Sequence, residues 1–181
     1  MKSVKFIKGS LIALGLASSS VMAVDGTLGA TSTGSVLITL DISPLVQVTN
    51  LDDITLTPFV GGAADLTGSD SFCVYSNNGT GNYNITMSGD AGNFTLANGA
   101  STIPYSVDFV NGATTSNALH GQPILGQTGA NTVDQNCGAV PDGINPTNGN
   151  VSMSITVANA AAAAAPAGIY TGTLTVVVAP E

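Results

Sequence analysis

Asn-Gly pairs recur along this chain and constrain its fold more than any other feature. They are Asn78-Gly79, Asn98-Gly99, Asn111-Gly112 and Asn148-Gly149. This dipeptide supplies the positive φ that tight hairpin turns require. Short runs of alternating or β-branched residues lie between the pairs, so the sequence predicts strands joined by tight turns.

These runs predict strands at residues 36–42, 46–48, 54–57, 72–75, 83–87, 94–96, 103–109, 151–157 and 169–178. Many short strands with polar turns are typical of a sandwich or barrel, so the predicted fold class is all-β. Residues 111–149 are rich in Gly, Asn, Thr and Pro and predict long surface connections. Residues 160–165 are all alanine and have room for one turn of helix, but six residues do not sustain a helix alone, so a connector before the last strand is expected.

The N-terminus has the pattern of a secretory signal peptide. Lys2, Lys5 and Lys8 precede an apolar run at residues 11–16, and the small residues around Ala23 form a cleavage site. We therefore expect residues 1–23 to be a signal peptide, residues 24–43 an extension and residues 44–181 a single domain. No later stretch is long and apolar enough to cross a bilayer, so membrane insertion is not expected.

Charge excludes several classes of partner. Cleavage after Ala23 would remove the chain's three basic residues, which are all Lys, and would leave its eleven acidic ones. Nucleic-acid grooves, phosphate clamps and polybasic membrane contacts need Lys or Arg, so these partners are not expected. At 44% hydrophobic and 8% charged residues, the chain differs from disordered acidic tails and is expected to fold.

Enzymatic and metal-binding patterns are absent from the sequence. His120 is the sole histidine, and it has no Cys or acidic neighbour at ligand spacing. A nucleophile activated by histidine could use only His120, and a G-x-S-x-G elbow is missing. We therefore predict no catalytic residue, no cofactor and no metal site.

Cys73 and Cys137 are the two cysteines. In an exported chain they favour one disulfide, and the alternative is a pair of unpaired buried thiols. A bridge of this span stabilises a fold by about 4 kcal/mol in the chain-entropy description.

Residues 34–43 form an amphipathic segment directly after the predicted leader. Alternation places one set of residues on a single face: Gly34, Val36, Ile38, Leu40 and Ile42. The opposite face is mostly polar. This segment is either the first strand of the chain's own sandwich or a strand offered to another molecule.

The run at residues 169–178 is the natural counterpart of this segment. It places Tyr170, Leu174, Val176 and Val178 on one side and threonines on the other. An apolar strand is prone to pair with other chains if its edge stays open, so a cover for this edge is expected.

Several of these segments, taken in order, resemble subunits of chaperone-usher pili, closest to the archaic class and the related spore coat protein U-like secreted domains. The segments are Thr33-Gly34-x-Val36-x-Ile38-x-Leu40-Asp41-Ile42-Ser43, Cys73-Val74-Tyr75-Ser76-Asn77, Tyr83-Asn84-Ile85-Thr86, Ile103-Pro104-Tyr105-Ser106-Val107 and Ala167-Gly168-x-Tyr170. One departure is the cysteine pattern. Such subunits usually pair the Cys73 equivalent with a cysteine just after the N-terminal strand, where this chain has Leu45, Val46 and Val48.

The resemblance implies an incomplete immunoglobulin-like sandwich whose groove lies beside the final strand. A periplasmic chaperone would fill the groove first, and an outer-membrane usher would then help a neighbouring subunit's residues 34–42 replace it. The implied protein is a secreted fimbrial subunit with a role in adhesion or biofilm. The alternative is a self-complete secreted sandwich that acts as a surface or carbohydrate-binding protein.

Overall fold

The computed structural model describes residues 23–132, residue 137 and residues 149–181. The predicted signal peptide, apart from Ala23, lies outside these residues. The chain divides into two units, of which the first ends at Ile42 and the second runs from Ser43 to Glu181.

The described part of the second unit consists of strands, one α-helix of six residues and a 3₁₀ turn at Asp90–Gly92. The elements are β1 (Val46–Thr49), β2 (Leu66–Ser76), β3 (Tyr83–Gly89), β4 (Thr95–Asn98), β5 (Ser101–Pro104), β6 (Ser106–Asn111), β7 (Thr114–Asn117), β8 (Pro123–Gln127), β9 (Val151–Val157), α1 (Asn159–Ala164) and β10 (Leu174–Pro180). Residues 160–165, which were expected to be a connector with room for one helical turn, lie mostly within α1.

The strands form antiparallel sheets. One sheet has the order β1-β2-β9-β6-β7, a second has the order β10-β3-β8, and β4 and β5 form a separate hairpin. Side chains from the two larger sheets share one buried cluster, so these sheets face each other. The predicted all-β sandwich is confirmed.

Alternation of side chains builds the core between the sheets. In β9, every second residue is buried and the intervening residues are Ser or Thr. β3 follows the same pattern with Tyr83, Ile85 and Met87. Phe72 and Phe109 add a ring pair whose centroids lie 6.3 Å apart. Burying each large apolar side chain contributes about 1.5–3 kcal/mol, which makes this cluster the main source of stability.

A second, smaller cluster lies under α1. It contains Ile103, Val157 and Ala162, with Leu96 and Tyr170 packed against it. The Asn159 backbone N–H at the start of the helix donates to the Asp65 carboxylate at 2.8 Å. A helix of this length needs such tertiary support, because six residues do not form a stable helix alone.

Two predicted strands differ in the structure. Residues 54–57 form no strand, although Ile54 and Leu56 are half-buried and the two threonines point outward. The predicted strand at 103–109 is divided at Tyr105, and its halves, β5 and β6, belong to different sheets. Both errors arise because side-chain alternation reports which side chains are buried and does not report which backbone groups find a partner.

Two strands were missed within residues 111–149. β7 reads TTSN and β8 reads PILGQ, and neither carries the apolar alternation of a half-buried strand. The prediction of surface connections throughout this stretch was therefore wrong for β7 and β8. Both are edge strands with few core contacts, so packing places little demand on their sequence.

The first unit contains a local bridge and then an irregular segment. Val24 N–H donates to Ser35 O at 3.0 Å, and Ser35 N–H donates to Val24 O at 2.9 Å. The strand predicted at residues 36–42 is not formed, and these residues have no regular secondary structure. A strand needs a neighbour for its backbone hydrogen bonds, and alternation alone does not supply one.

Candidate functional site: the edge of strand β10

Strand β10 pairs with β3 along its whole length, from Leu174 opposite Gly89 to Pro180 opposite Tyr83. No other strand among the described residues pairs with it. In an antiparallel strand, alternate residues direct their N–H and C=O groups to each side. About half of the β10 backbone groups therefore face an edge where a further strand could bind.

The inward side chains of β10 are only partly covered. Leu174, Val176 and Val178 pack against the main core cluster but remain half-buried. Val176 and Val178 are paired with Met87 and Ile85 of β3, which are fully buried. Apolar surface that belongs to the core thus remains accessible along this edge.

Nothing in β10 protects this edge against pairing. The strand reads LTVVVAP, contains no charged residue and has proline only at its last position. β8, at the opposite edge of the same sheet, has Pro123, a register shift against β3 and Gly126 at φ 65°. Charges, prolines and bulges are the usual defences of edge strands, so β8 is protected and β10 is not.

The other sheet ends at β1, which approaches β10 without forming a ladder with it. Beyond β1, Asn50 has a positive φ of 62°, and the chain leaves the ladder with β2. The Asp70 carboxylate then accepts a hydrogen bond from Asp52 N–H at 3.0 Å. This side-chain contact occurs where a continued strand would use a backbone carbonyl.

Ile54 and Leu56 lie close above Gly68 of β2. A Cβ at Gly68 would come within 2.5 Å of the Ile54 side chain and 2.9 Å of the Leu56 side chain. Glycine at this position is therefore required for the close approach of this segment to the sheet.

Polar contacts hold both ends of β10. Thr173 N–H donates to the Asp90 carboxylate at 2.7 Å just before the strand begins. At the far end, the Asn78 amide donates to Glu181 O at 2.6 Å. Nothing in the sequence indicates these roles for Asp90 and Asn78, because no local pattern reports contacts across more than eighty residues.

The structure separates Tyr170 from the other residues predicted for the last strand. Leu174, Val176 and Val178 lie on β10, but Tyr170 precedes it and packs in the second cluster. The Tyr170 hydroxyl donates to Pro166 O at 2.9 Å, and Thr171 bridges to Ala97. The placement of Tyr170 beside Leu174 on one strand was therefore wrong, because the chain changes its pairing partner from β4 to β3.

The apolar residues predicted to share one face of residues 34–42 have exposed side chains. The exposed fractions are 71% for Val36, 86% for Ile38, 80% for Leu40 and 72% for Ile42. Gly34 lies next to the local bridge, where an added Cβ would stand 3.1 Å from Val24 O.

Cys73 of β2 and Cys137 form a disulfide, with their Cα atoms 5.7 Å apart. Cys73 is fully buried. The bridge therefore connects the central part of the larger sheet to a residue 64 positions later in the chain.

Tyr83 of β3 is paired with Pro180 at the end of β10. Its side chain is fully buried, and its hydroxyl has no hydrogen-bond partner among the described residues. Burial raises the pKa of Tyr83 to about 12, because the charged phenolate is disfavoured away from water. Burial also raises the pKa of Tyr105, with a further contribution from the Asp90 carboxylate.

His120 occupies a packing position. Its Nε2 lies 3.1 Å from Gly89 O, and its ring contacts Phe94 edge-on at a centroid distance of 5.5 Å. Within the described ranges, no three His, Cys, Asp or Glu side chains group together as metal ligands would. No helix in the same ranges combines the length and apolar character needed to cross a bilayer.

No protein-family model matches the chain, and no curated protein sequence matches it. Among solved structures, the chain is similar to one described as "Chaperone-tip adhesin complex is vital for synergistic activation of CFA/I fimbriae biogenesis". The sequence identity is 18% and the TM-score is 0.46, over 75% of the present chain. The match spans 41% of the length of that solved chain.

Proposed function

We propose that this protein is a structural subunit of an extracellular pilus that polymerises by donor-strand exchange. Residues 34–42 of one copy lie along β10 of the next copy and add a strand to its smaller sheet. The single observation that carries this proposal is the open edge of β10, where core side chains are half-buried and no protective residue is present.

The donor segment has the chemistry that this edge requires. Its alternate side chains Val36, Ile38, Leu40 and Ile42 are apolar and exposed. Burying these four side chains contributes about 6–12 kcal/mol before ordering costs, at about 1.5–3 kcal/mol each. Main-chain hydrogen bonds to β10 add further affinity, as in other cases of strand addition.

Electrostatics favour a contact made through these two segments. The region after Ala23 carries eleven acidic residues and no Lys or Arg, so two copies repel each other in general. β10 is uncharged, and the donor segment carries only Asp41, on the polar face. Two copies therefore meet through segments that carry little charge, while the rest of their surfaces repel each other. Added salt screens this repulsion and is expected to accelerate assembly.

The proposal includes partners before assembly. An open apolar edge aggregates unless it is covered, so a periplasmic chaperone holds β10 until an outer-membrane usher passes the subunit to the fibre. The contact is head-to-tail and does not close on itself, so identical or related subunits form an open filament. The filament then supports adhesion or biofilm at the cell surface.

Size-exclusion chromatography of the secreted chain tests the proposal. We expect polymers from the unmodified chain and monomers from Ile38→Asn, because a polar side chain cannot fill an apolar site of the groove. Leu37→Asn is the matched control, since Leu37 is its direct neighbour on the opposite face, and it should still polymerise. A stable monomer from the unmodified chain would instead favour the self-complete sandwich.

A strand peptide gives a second, independent measurement. A labelled peptide of residues 30–43 should bind to the Ile38→Asn variant, whose own donor segment is impaired but whose β10 edge is intact. Fluorescence anisotropy measures this binding. The same peptide carrying Ile38→Asn should fail to bind, and equal binding of both peptides would contradict the proposal.

A further inference from the structure

Two hairpins of this protein have nearly the same turn sequence. β4 and β5 are joined by Asn98-Gly99-Ala100-Ser101, and β6 and β7 are joined by Asn111-Gly112-Ala113-Thr114. In each hairpin the asparagine pairs with the Ser or Thr three residues later. The two glycines have similar φ values, 60° for Gly99 and 58° for Gly112, so the turns match in backbone geometry as well.

The two asparagine side chains have different partners. The Asn111 amide nitrogen donates to Thr128 O at 2.8 Å and lies 3.4 Å from Gln127 Oε1. Asn98 is exposed, and its amide makes no hydrogen bond to any described residue. Its side chain lies against Gly168, where an added Cβ would collide with Asn98 Nδ2.

Another Asn-Gly pair is held in a similar way to Asn111. Asn78 Oδ1 accepts from Thr80 N–H at 3.2 Å and from the Thr80 hydroxyl at 3.0 Å, and its amide nitrogen donates to Glu181 O. Asn148 lies outside the described residues. Among the Asn-Gly pairs that the structure describes, Asn98 is therefore the one whose side-chain amide makes no hydrogen bond.

We propose that Asn98 is a site of spontaneous deamidation in the folded protein. The Gly99 amide nitrogen loses its proton to water and attacks Cγ of Asn98, and a carbon–nitrogen bond forms. The side-chain nitrogen leaves as ammonia, which produces a five-membered succinimide. Water then opens the ring at either carbonyl to give aspartate or isoaspartate, and no oxidant or reductant is involved.

Glycine makes this attack possible, because it has no side chain to obstruct the approach of its nitrogen to Cγ. No atom lies within 4 Å of a Cβ built at Gly99, so the turn has room to open. The same holds at Gly112, which leaves the hydrogen bonds of Asn111 as the difference between the two sites. Those bonds must break before the Asn111 side chain can turn toward Gly112.

Aspartate or isoaspartate at position 98 changes the contacts of the segment that leads into β10. A carboxylate replaces the amide against Gly168, and none of the described residues is a Lys or Arg that could pair with it. Isoaspartate also lengthens the backbone by one carbon, which disturbs the pairing of Asn98 with Ser101 and the adjacent bridge from Ala97 to Thr171. Deamidation therefore loosens the segment that leads into β10.

Peptide mass spectrometry of the intact folded protein tests this proposal. The protein is aged at mildly alkaline pH and digested with pepsin, and the exchange of NH₂ for OH is measured at Asn98 and Asn111. Synthetic peptides of the two turns supply the intrinsic rates. After this correction, we expect Asn98 to react about five- to tenfold faster than Asn111, as the loss of one or two hydrogen bonds would predict.

Two variants complete the test. Asn98→Gln should remove the new acidic isoform in isoelectric focusing, because the longer side chain cyclises far more slowly. Gln127→Ala removes one contact of Asn111 and should narrow the difference between the two sites. Equal or faster reaction at Asn111, or no reaction at Asn98 in the folded protein, would overturn the proposal.

Discussion

Strands β9 and β10 have the same length and similar patterns, yet they occupy opposite situations. Each has seven residues with apolar side chains at every second position. β9 pairs with β2 on one side and β6 on the other, and its inward side chains are at most 7% exposed. Among the strands that the structure describes, β10 pairs with β3 alone, and its inward side chains are half-buried. A strand's pattern therefore specifies the face it buries, and its neighbours decide how completely.

The different pairing of β9 and β10 affects how much each strand contributes to the free energy of folding. The apolar area buried by β9 already contributes to folding, whereas part of the apolar area of β10 can contribute only when another strand covers it. A strand added beside β10 would bury this remaining area, which is the step that the proposed function requires. Substitutions in the two strands should separate these contributions.

The largest expected effect is in the central strand. Ile155→Ala should lower the free energy of unfolding by about 2–5 kcal/mol, because it opens a cavity between fully packed sheets. Urea denaturation followed by circular dichroism measures this change. A loss below about 1 kcal/mol, under the usual range for such truncations, would indicate that the β9 core is not close-packed.

The next effect concerns Tyr83, which is paired with Pro180 at the end of β10. The pKa of Tyr83 is raised from 10.0 to about 12 in the folded protein, so the neutral phenol is the native form. Its contribution is fully present below pH 10 and is lost as the pH rises through about 12. The free energy of unfolding should fall by up to about 2–3 kcal/mol across this window.

Tyr83→Phe is the control for this titration. It should remove the Tyr83 part of the pH dependence above pH 10 and leave the part that comes from Tyr105, whose pKa is also raised by burial. It should leave stability equal or higher at neutral pH, because the buried hydroxyl has no partner among the described residues. An unchanged alkaline transition in this variant would assign the effect to another group.

A smaller effect is expected from the edge strand. Leu174→Ala should lower the free energy of unfolding of the monomeric Ile38→Asn variant by about 1–2 kcal/mol, because a half-buried side chain loses less contact than a buried one. The same substitution should weaken binding of the peptide of residues 30–43. A loss as large as that of Ile155→Ala would remove the distinction between β9 and β10.

The smallest effect should come from the outer face of β10. Val177 is 54% exposed, and Val177→Lys is expected to change the free energy of unfolding by no more than about 0.5 kcal/mol. Thermal unfolding in the Ile38→Asn background measures this change. A larger destabilisation would mean that the outer face of β10 is packed in the monomer.

Side-chain alternation predicted much of the fold correctly. Residues 83–87 and 151–157 were identified as strands because their buried positions recur with period two. The same rule failed at residues 54–57, where the side chains alternate but the Asp52 N–H uses the Asp70 carboxylate and no ladder forms. It also failed for β7, whose polar sequence gives no alternation to detect.

The candidate site was predicted less completely. The positions of Leu174, Val176 and Val178 on one face followed from the sequence, but the separation of Tyr170 from them did not. The bridge between Ala97 and Thr171 sets the start of β10, and such a contact depends on chain segments more than seventy residues apart. The contacts of Asp90 and Asn78 that hold the ends of β10 are equally remote.

The sequence by itself determined the all-β class, the hairpin turns, the apolar faces and the absence of basic residues after Ala23. Each of these depends on local backbone preference or on composition, which short segments carry without their neighbours. Only the tertiary structure decided that β9 lies between two strands while β10 lies beside one. Strand order depends on which distant segments meet, and a period-two pattern is the same for a central strand and for an edge strand.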